Sequence, residues 1–353
     1  MTCALKRVFA MLALSLAFAG AANGARAEDC PGHPDALGTS RTIAVDPLEH
    51  IRIGGMNYAE TLPLADKEVV LTLDDGPIAP YTNKILDILA SECVHATYFI
   101  VGEMARAHPD LVRRAYREGH TIATHSMTHP YPFQRLAFDK AKAQVDDGIE
   151  ATAAALGDPK ELSPFFRFPG FARTDEVEDY VASRGIMVWS ADFPADDWMH
   201  ISDKEIIRRA LMRLEHKRKG ILLLHDIHPA TVQALPVLLK ELKARGYHIV
   251  HVVAANAEHP KTEAAPEAWL IPDRHTPSMP ALAFGDVQNL NGDFLARHQG
   301  ADLCSLHAMT AKATIRTAAR GRKLAAPPRH FPAPRLARMR YEHGDRWFTP
   351  IWN

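Results

Sequence analysis

Cysteine is scarce in this chain: four occur among 353 residues, and no two form a C-x-x-C pair. That excludes a thiolate zinc cluster and a disulfide-framework fold. Cys3 falls in a leader segment, so Cys30, Cys93 and Cys304 remain. One bridge is feasible in an oxidising compartment, with Cys30 to Cys304 as a candidate that spacing alone cannot select. Excess charge of either sign is also lacking. Lys and Arg number 41 against 42 Asp and Glu, giving a formal net charge of -1. No global electrostatic argument therefore favours nucleic acid or a membrane surface. Long apolar runs are absent after the first residues. Lys6 and Arg7 precede an apolar run over 8–19, and Ala25-Arg26-Ala27 is a small-x-small cleavage site. This reads as a signal peptide, the run being short for a bilayer span, and predicts a mature chain starting near Glu28, exported to the periplasm or beyond. No repeat of fixed period is present.

What is present is a regular alternation. Short apolar or β-branched runs at 69–73, 96–101, 121–124, 165–168, 186–190, 221–224 and 247–253 are separated by helical spacing at 81–92, 109–118, 135–156, 175–183, 203–216 and 231–244. Ser202 is a candidate N-cap, and Gly119, Gly185, Gly220 and Gly246 stand where helices should stop. The pattern predicts an α/β fold, a parallel sheet of seven strands closed or nearly closed into a (β/α) barrel. The expected organisation is a signal peptide over 1–27, an extension over 28–66, a catalytic barrel over 67–255, and a Pro-rich linker with an irregular basic tail over 256–353. Within the extension, 42–45 and 50–53 look like two short strands forming a hairpin over one end of the barrel. The tail is expected to be poorly ordered, with a polyanion-binding arm as the rival reading.

Barrels build their sites at the carboxyl ends of strands, and polar clusters fall there five times. "TLDDGP" ends the first run with Asp74 and Asp75, although Asp-Gly is also a common turn dipeptide. Adjacent strand residues face opposite ways, so a twist is needed to aim both carboxylates at one site. "HSMTH" puts His125 and His129 four apart, which on a helical turn lets two imidazoles converge on one ion. The residue after His125 is Ser126, not the glutamate base of a zinc protease. Two imidazoles and a carboxylate suit a hydrolytic divalent ion; Asp75 could complete the set and leave Asp74 as base. Arg167 in "FFRFPGF" could pair with a carboxylate. "WSADFPADDW" offers Asp192, Asp196 and Asp197 beside Trp198, an aromatic suited to a sugar ring or to the core. "ILLLHDIHP" ends in His225, a candidate general acid, with Asp226 and His228 capping the turn into the next helix.

Taken in order, "TLDDGP", "HSMTH", "RFPG", "DDW" and "LLLHD" resemble the five motifs of polysaccharide deacetylases, carbohydrate esterase family four with its nodulation-protein-B-like domain. The resemblance covers about residues 66–253. It implies a distorted barrel that removes acetyl groups from acetylated sugars with one divalent metal, most often Zn2+, with Co2+ or Mn2+ as alternatives. By matching position it implies Asp74 as general base, Asp75, His125 and His129 as metal ligands, and Arg167 as the residue orienting Asp74. It further implies Asp197 orienting His225, His225 as general acid, Trp198 lining the groove, Leu223 in the acetyl-methyl pocket and the Gly170 N–H as oxyanion donor. Three departures stand out. Leu73 replaces the usual phenylalanine, Gly170 directly follows Pro169 where an aromatic is common, and Asp192 and Asp197 are five apart, leaving Asp192 or Asp196 open as the histidine's partner.

The function expected is N-deacetylation of a glycan containing N-acetylglucosamine, as in chitooligosaccharide deacetylases. Alternatives are an O-acetyl esterase on xylan or exopolysaccharide and a non-catalytic periplasmic carbohydrate-binding protein. The last is disfavoured because every catalytic and ligand position holds a competent residue.

Overall fold

The computed structural model describes residues 30–271. The segment read as a signal peptide, Cys304 and the basic tail lie outside the described residues. Ten strands are present among the described residues: β1 (Thr39–Val45), β2 (Arg52–Ile53), β3 (Glu68–Asp74), β4 (Thr97–Ile100), β5 (Thr121–Thr124), β6 (Phe165–Phe166), β7 (Met187–Trp189), β8 (Phe193–Pro194), β9 (Gly220–His225) and β10 (His248–Ala254). They alternate with α1 (Ala79–Ser91), α2 (Gly102–Ala107), α3 (Pro109–Arg117), α4 (Phe138–Leu156), α5 (Asp175–Ser183), α6 (Asp203–Lys217) and α7 (Pro229–Ala244), followed by a short α8 (Pro266–Trp269).

All strand pairings are parallel. The order is β1-β10-β3-β4-β5-β6-β7-β2, with β9 also on β3 and β8 on β9. From β7 the chain runs through Ser190–Asp192 into β8, so one stretch of backbone joins β7 to the β8–β9 branch on β3 and bends the sheet into a distorted barrel. Strand β3 shows why the sequence folds so. Its residues EVVLTLD are all buried, as expected for a strand covered on both faces. Val69, Leu71 and Leu73 pack outward with Ile85, Leu89 and Leu239 of the helices. Val70 turns inward to Phe99, Ile221, Leu223 and Val250. Alternation then aims Thr72 and Asp74 inward too. The register sets Asp74 opposite Phe99 on one side and His225 on the other.

Each expected run falls on a strand, and the six expected helices form within a few residues of the expected bounds. Ser202 caps α6, its hydroxyl accepting from the Glu205 N–H. Helix α2 was not expected; at six residues it is too short to show a period.

Four expectations are corrected. The N-terminal segments form no hairpin, because β1 pairs with β10 and β2 with β7, both in parallel. Each extends an existing sheet edge, which buries more apolar surface than pairing with the other in isolation. Gly220 does not end a helix: Arg218, left-handed at φ 69°, caps α6, and Gly220 opens β9. The disulfide joins Cys30 to Cys93, not to Cys304, and pins the start of the described chain beside α1. Finally, part of the stretch read as a linker packs on the barrel. Trp269 is buried, stacks on His50 at 3.4 Å, and its carbonyl accepts from the Thr61 N–H. A lone tryptophan in a Pro- and Ala-rich segment carries no period to announce this.

Candidate active site

Apart from Asp192, which precedes β8 and bonds the start of β9, the polar residues described below follow the carboxyl ends of strands. Asp74 ends β3 buried, and Asp75 follows with φ 79°. A left-handed non-glycine residue costs about 1–3 kcal/mol, and Asp is among the types that tolerate it. This reversal supplies the twist that adjacent strand residues need, so both carboxylates reach one space. Asp75 Oδ1 lies 3.4 Å from Nε2 of both His125 and His129, while Asp74 Oδ2 lies 3.7 Å from His125 Nε2.

The histidines do not converge on a helical turn. Residues after β5 form a tight loop with Ser126 at φ 66° and His129 at φ 50°, and the Ser126 hydroxyl accepts from the His129 N–H. The N–H groups of Gly102 and Glu103, opening α2, hold the carbonyls of Ser126 and Met127. From beneath, α4 offers Gly148, where a Cβ would lie 2.6 Å from the Ser126 carbonyl carbon. A glycine in mid-helix is costly, and here it lets the loop sit directly on the helix. The part Ser126 plays in shaping this loop has no local sequence signal, whereas Gly148 has one, a glycine inside a 19-residue helix.

Arg167 follows β6 and is fully buried. Its Nη1 donates to Asp74 Oδ1 at 2.6 Å and to Thr72 Oγ1 at 2.9 Å, its Nη2 donates to the Ser190 carbonyl, and its guanidinium lies 4.0 Å from the Phe99 ring. Buried ion pairs depend on such added partners to offset desolvation.

The three aspartates around β8 take three different partners. Asp192 accepts from the N–H groups of Gly55 and Ile221 and from the Thr61 hydroxyl. Asp196, with φ 60°, pairs with Arg209 and Arg213 of α6. Asp197 meets the histidine: Oδ1 lies 2.8 Å from His225 Nδ1, and Oδ2 accepts from the His225 N–H and the Thr231 hydroxyl. Asp226 does not cap α7. It turns back to accept from the Gly76 N–H and the Thr82 hydroxyl, fastening the turn after Asp75. His228 is the N-cap residue of α7 without a side-chain cap bond.

Leu223 is buried in the inner cluster, and Trp198 packs partly buried against that cluster. The Trp198 ring meets His225 edge-on at 5.5 Å. Gly170 lies in a short turn at φ 56°, and a Cβ there would lie 2.7 Å from the Tyr131 ring.

Charge in the site is finely divided. Burial raises the Asp75 carboxyl, but the adjacent imidazoles outweigh it and hold the group well below the usual carboxylate range. Burial pushes His129 down against the pull of Asp75. Burial also works against the His225 imidazolium, yet Asp197, aided by Asp75 and Asp74, lifts it to about 9. Desolvation drives Asp226 up to about 7, opposed in part by Thr82. Facing charges win at Asp75 and His225, and desolvation wins at His129 and Asp226.

The donor set fits one metal ion. Asp75, His125 and His129 offer ligand atoms within 4.8 Å of one another. Asp75 Oδ1 is buried and accepts no hydrogen bond. His125 Nδ1 lies 2.7 Å from the Arg167 carbonyl, so that nitrogen carries the proton and Nε2 keeps its lone pair toward Asp75. No helix among the described residues is long and apolar enough to cross a membrane.

Comparison with known proteins agrees with this geometry. The profile of the polysaccharide deacetylase family matches residues 62–189. A peptidoglycan-N-acetylglucosamine deacetylase of Bacillus cereus is 31% identical over 188 residues, covering 51% of this chain and 67% of its own length. The corresponding Listeria monocytogenes enzyme is 29% identical, and the match covers 53% of this chain but only 38% of that protein. Among solved structures, a peptidoglycan deacetylase of Bdellovibrio bacteriovorus superposes with a TM-score of 0.56 at 28% identity, covering 68% of this chain and 66% of the other. The chain belongs to the polysaccharide deacetylase family.

Proposed function

We propose that the protein removes N-acetyl groups from oligo- or polysaccharide containing N-acetylglucosamine, releasing acetate and a free amine. The observation that carries this reading is the division of labour in the Asp74-Asp75 pair. One carboxylate is bound by Arg167, the other faces two histidines, and both lie beside a charged His225. Asp75, His125 and His129 would hold the ion, with zinc the first choice for two imidazoles and a carboxylate. A bound divalent ion supplies Lewis acidity toward water and the acetyl carbonyl.

The remaining roles belong to the chain. Asp74, oriented by Arg167, takes a proton as water attacks the carbonyl carbon. The Gly170 N–H donates to the developing oxyanion. Leu223 borders the acetyl methyl and Trp198 the sugar. As the carbon–nitrogen bond breaks, His225 gives its proton to the departing amine, with Asp197 holding its ring in place. Peptidoglycan is the first polymer to test, since the relatives named above are peptidoglycan deacetylases. Action outside the cytoplasm is supported by the Cys30–Cys93 disulfide, which an oxidising compartment favours.

The test is acetate release from N-acetylglucosamine oligomers and from peptidoglycan by the metal-loaded protein. His125→Ala and Asp74→Asn should each reduce it by about a hundredfold or more. Equal release by all three proteins would sink the assignment. Release from O-acetylated xylan alone would move the reading to an esterase, and binding without release would make it a carbohydrate-binding protein.

A further inference from the structure

We propose that Tyr131 is a specificity-determining residue, a sugar-stacking wall delivered by the histidine loop into the space that a side chain at position 170 would otherwise fill. The inference rests on the glycan-deacetylase reading above. Gly170 has a left-handed backbone, and a Cβ built there would lie 2.7 Å from Tyr131 Cε2 and 3.0 Å from Cδ2. Those distances are shorter than real contacts allow, so ring and side chain exclude one another. The approach is to one edge of the ring, Cζ lying farther away at 3.9 Å. A ring seated by an edge stands out from the wall it touches, and Tyr131 keeps 41% of its surface exposed.

Position makes this more than an ordinary surface aromatic. Tyr131 lies two residues beyond His129, so its backbone is fixed by the same loop that presents the imidazoles. Strand β5, which delivers that loop, is two strands from β3 on one side, and β8, which leads to Trp198, is two strands away on the other. The loops that carry the two aromatics therefore reach β3, which bears the Asp74-Asp75 pair, from opposite sides of the sheet. Pyranose rings present flat C–H faces, and aromatic side chains at the margins of a polar cleft are suited to them. Phe171 does not replace Tyr131 in this role, since it is partly buried against the inner cluster with the Arg167 guanidinium 5.9 Å from its ring.

The decisive measurement separates binding from turnover. For N-acetylglucosamine tetramer, Tyr131→Ala should raise KM by about five- to tenfold, the worth of one aromatic contact, with a smaller change in kcat. Tyr131→Phe should restore KM, because the ring rather than the hydroxyl acts. Gly170→Ala, which displaces the ring, should raise KM in the same direction. Metal content, measured on each variant, should stay at the wild-type level. An unchanged KM in Tyr131→Ala, a Phe variant as impaired as Ala, or loss of metal in step with the loss of affinity would each overturn the proposal. If the wild type releases no acetate from any glycan, the functional reading fails first. Tetramer binding to Asp74→Asn, with and without Tyr131→Ala, then decides the wall separately: a five- to tenfold weaker complex supports it and equal binding rejects it.

Discussion

The barrel holds two histidine clusters, one at each end of β5, and they differ in everything except residue type. At the carboxyl end, His125 and His129 face Asp75, while His225 is bound by Asp197. At the amino end, His95 lies with its ring centroid 5.9 Å from that of His120 and 5.3 Å from that of His251. Among the described residues, the buried His120 and His251 rings bond a backbone N–H and a threonine hydroxyl rather than a carboxylate. Burial therefore dominates, taking His251 down to about 3 and His120 well below its usual value, where the carboxylates of the first cluster lift His225 instead. Proton positions separate the clusters further. His120 Nδ1 accepts from the Ala96 N–H, so the proton of the neutral ring sits on Nε2 and no lone pair remains for an ion. The Thr121 hydroxyl gives its proton to the Val252 carbonyl, so His251 Nε2 must donate to it. Histidine number thus says little about a site. The partners that decide which nitrogen carries the proton say most.

If the carboxyl end serves chemistry and the amino end serves stability, variants should divide accordingly. The largest effect is expected for Asp197→Ala, which should cut acetate release by about a thousandfold. It should also move the alkaline limb of the pH–rate profile. His225, lifted to about 9, stays protonated below that pH; without Asp197 the loss of activity should begin closer to 6.5. A profile with an unmoved alkaline limb would separate His225 from the acid role. Next comes Cys93→Ser, which opens a bridge of sequence separation 63 at the amino end. It should lower unfolding free energy by about 3 kcal/mol in urea titrations, with kcat unchanged. A fall in kcat without a fall in stability would reverse the comparison. The smallest effect, taken per pH unit, concerns His251→Gln. The folded value of His251 lies below the unfolded one near 6.5, so the unfolded chain takes up more protons, and stability should climb from about pH 3 to 6.5. Replacing the ring should flatten that slope by about 1.4 kcal/mol per pH unit. Parallel unfolding curves for wild type and variant between pH 4.5 and 6.5 would show that the ring is not held neutral.

The positions of the candidate residues were legible in the sequence because they sit in short contiguous motifs. Asp74, Asp75, His125, His129, Arg167 and His225 all stand where strand ends were expected. The means of bringing them together were not legible. Left-handed backbone at Asp75, Ser126 and His129 is a property of the folded loop, and none of these residues is glycine. Strand pairing of β1 and β2, and the bridge of Cys30 to Cys93, join segments far apart in sequence that share no local pattern. Which of three aspartates meets His225 could not be read either. All three lie within six residues, and their partners come from α6, β9 and the segment before β3.

The Asp192 carboxylate bears on how separable the parts of this chain are. Two of its donors, Gly55 and Thr61, precede the first central strand, and the third, Ile221, lies in β9. A break in the chain just before β3 would cut the connection to two of those donors and leave a buried acid short of partners. What looks in sequence like a detachable preface is wired into the interior, so the barrel and the segment before it should be inherited, and lost, together.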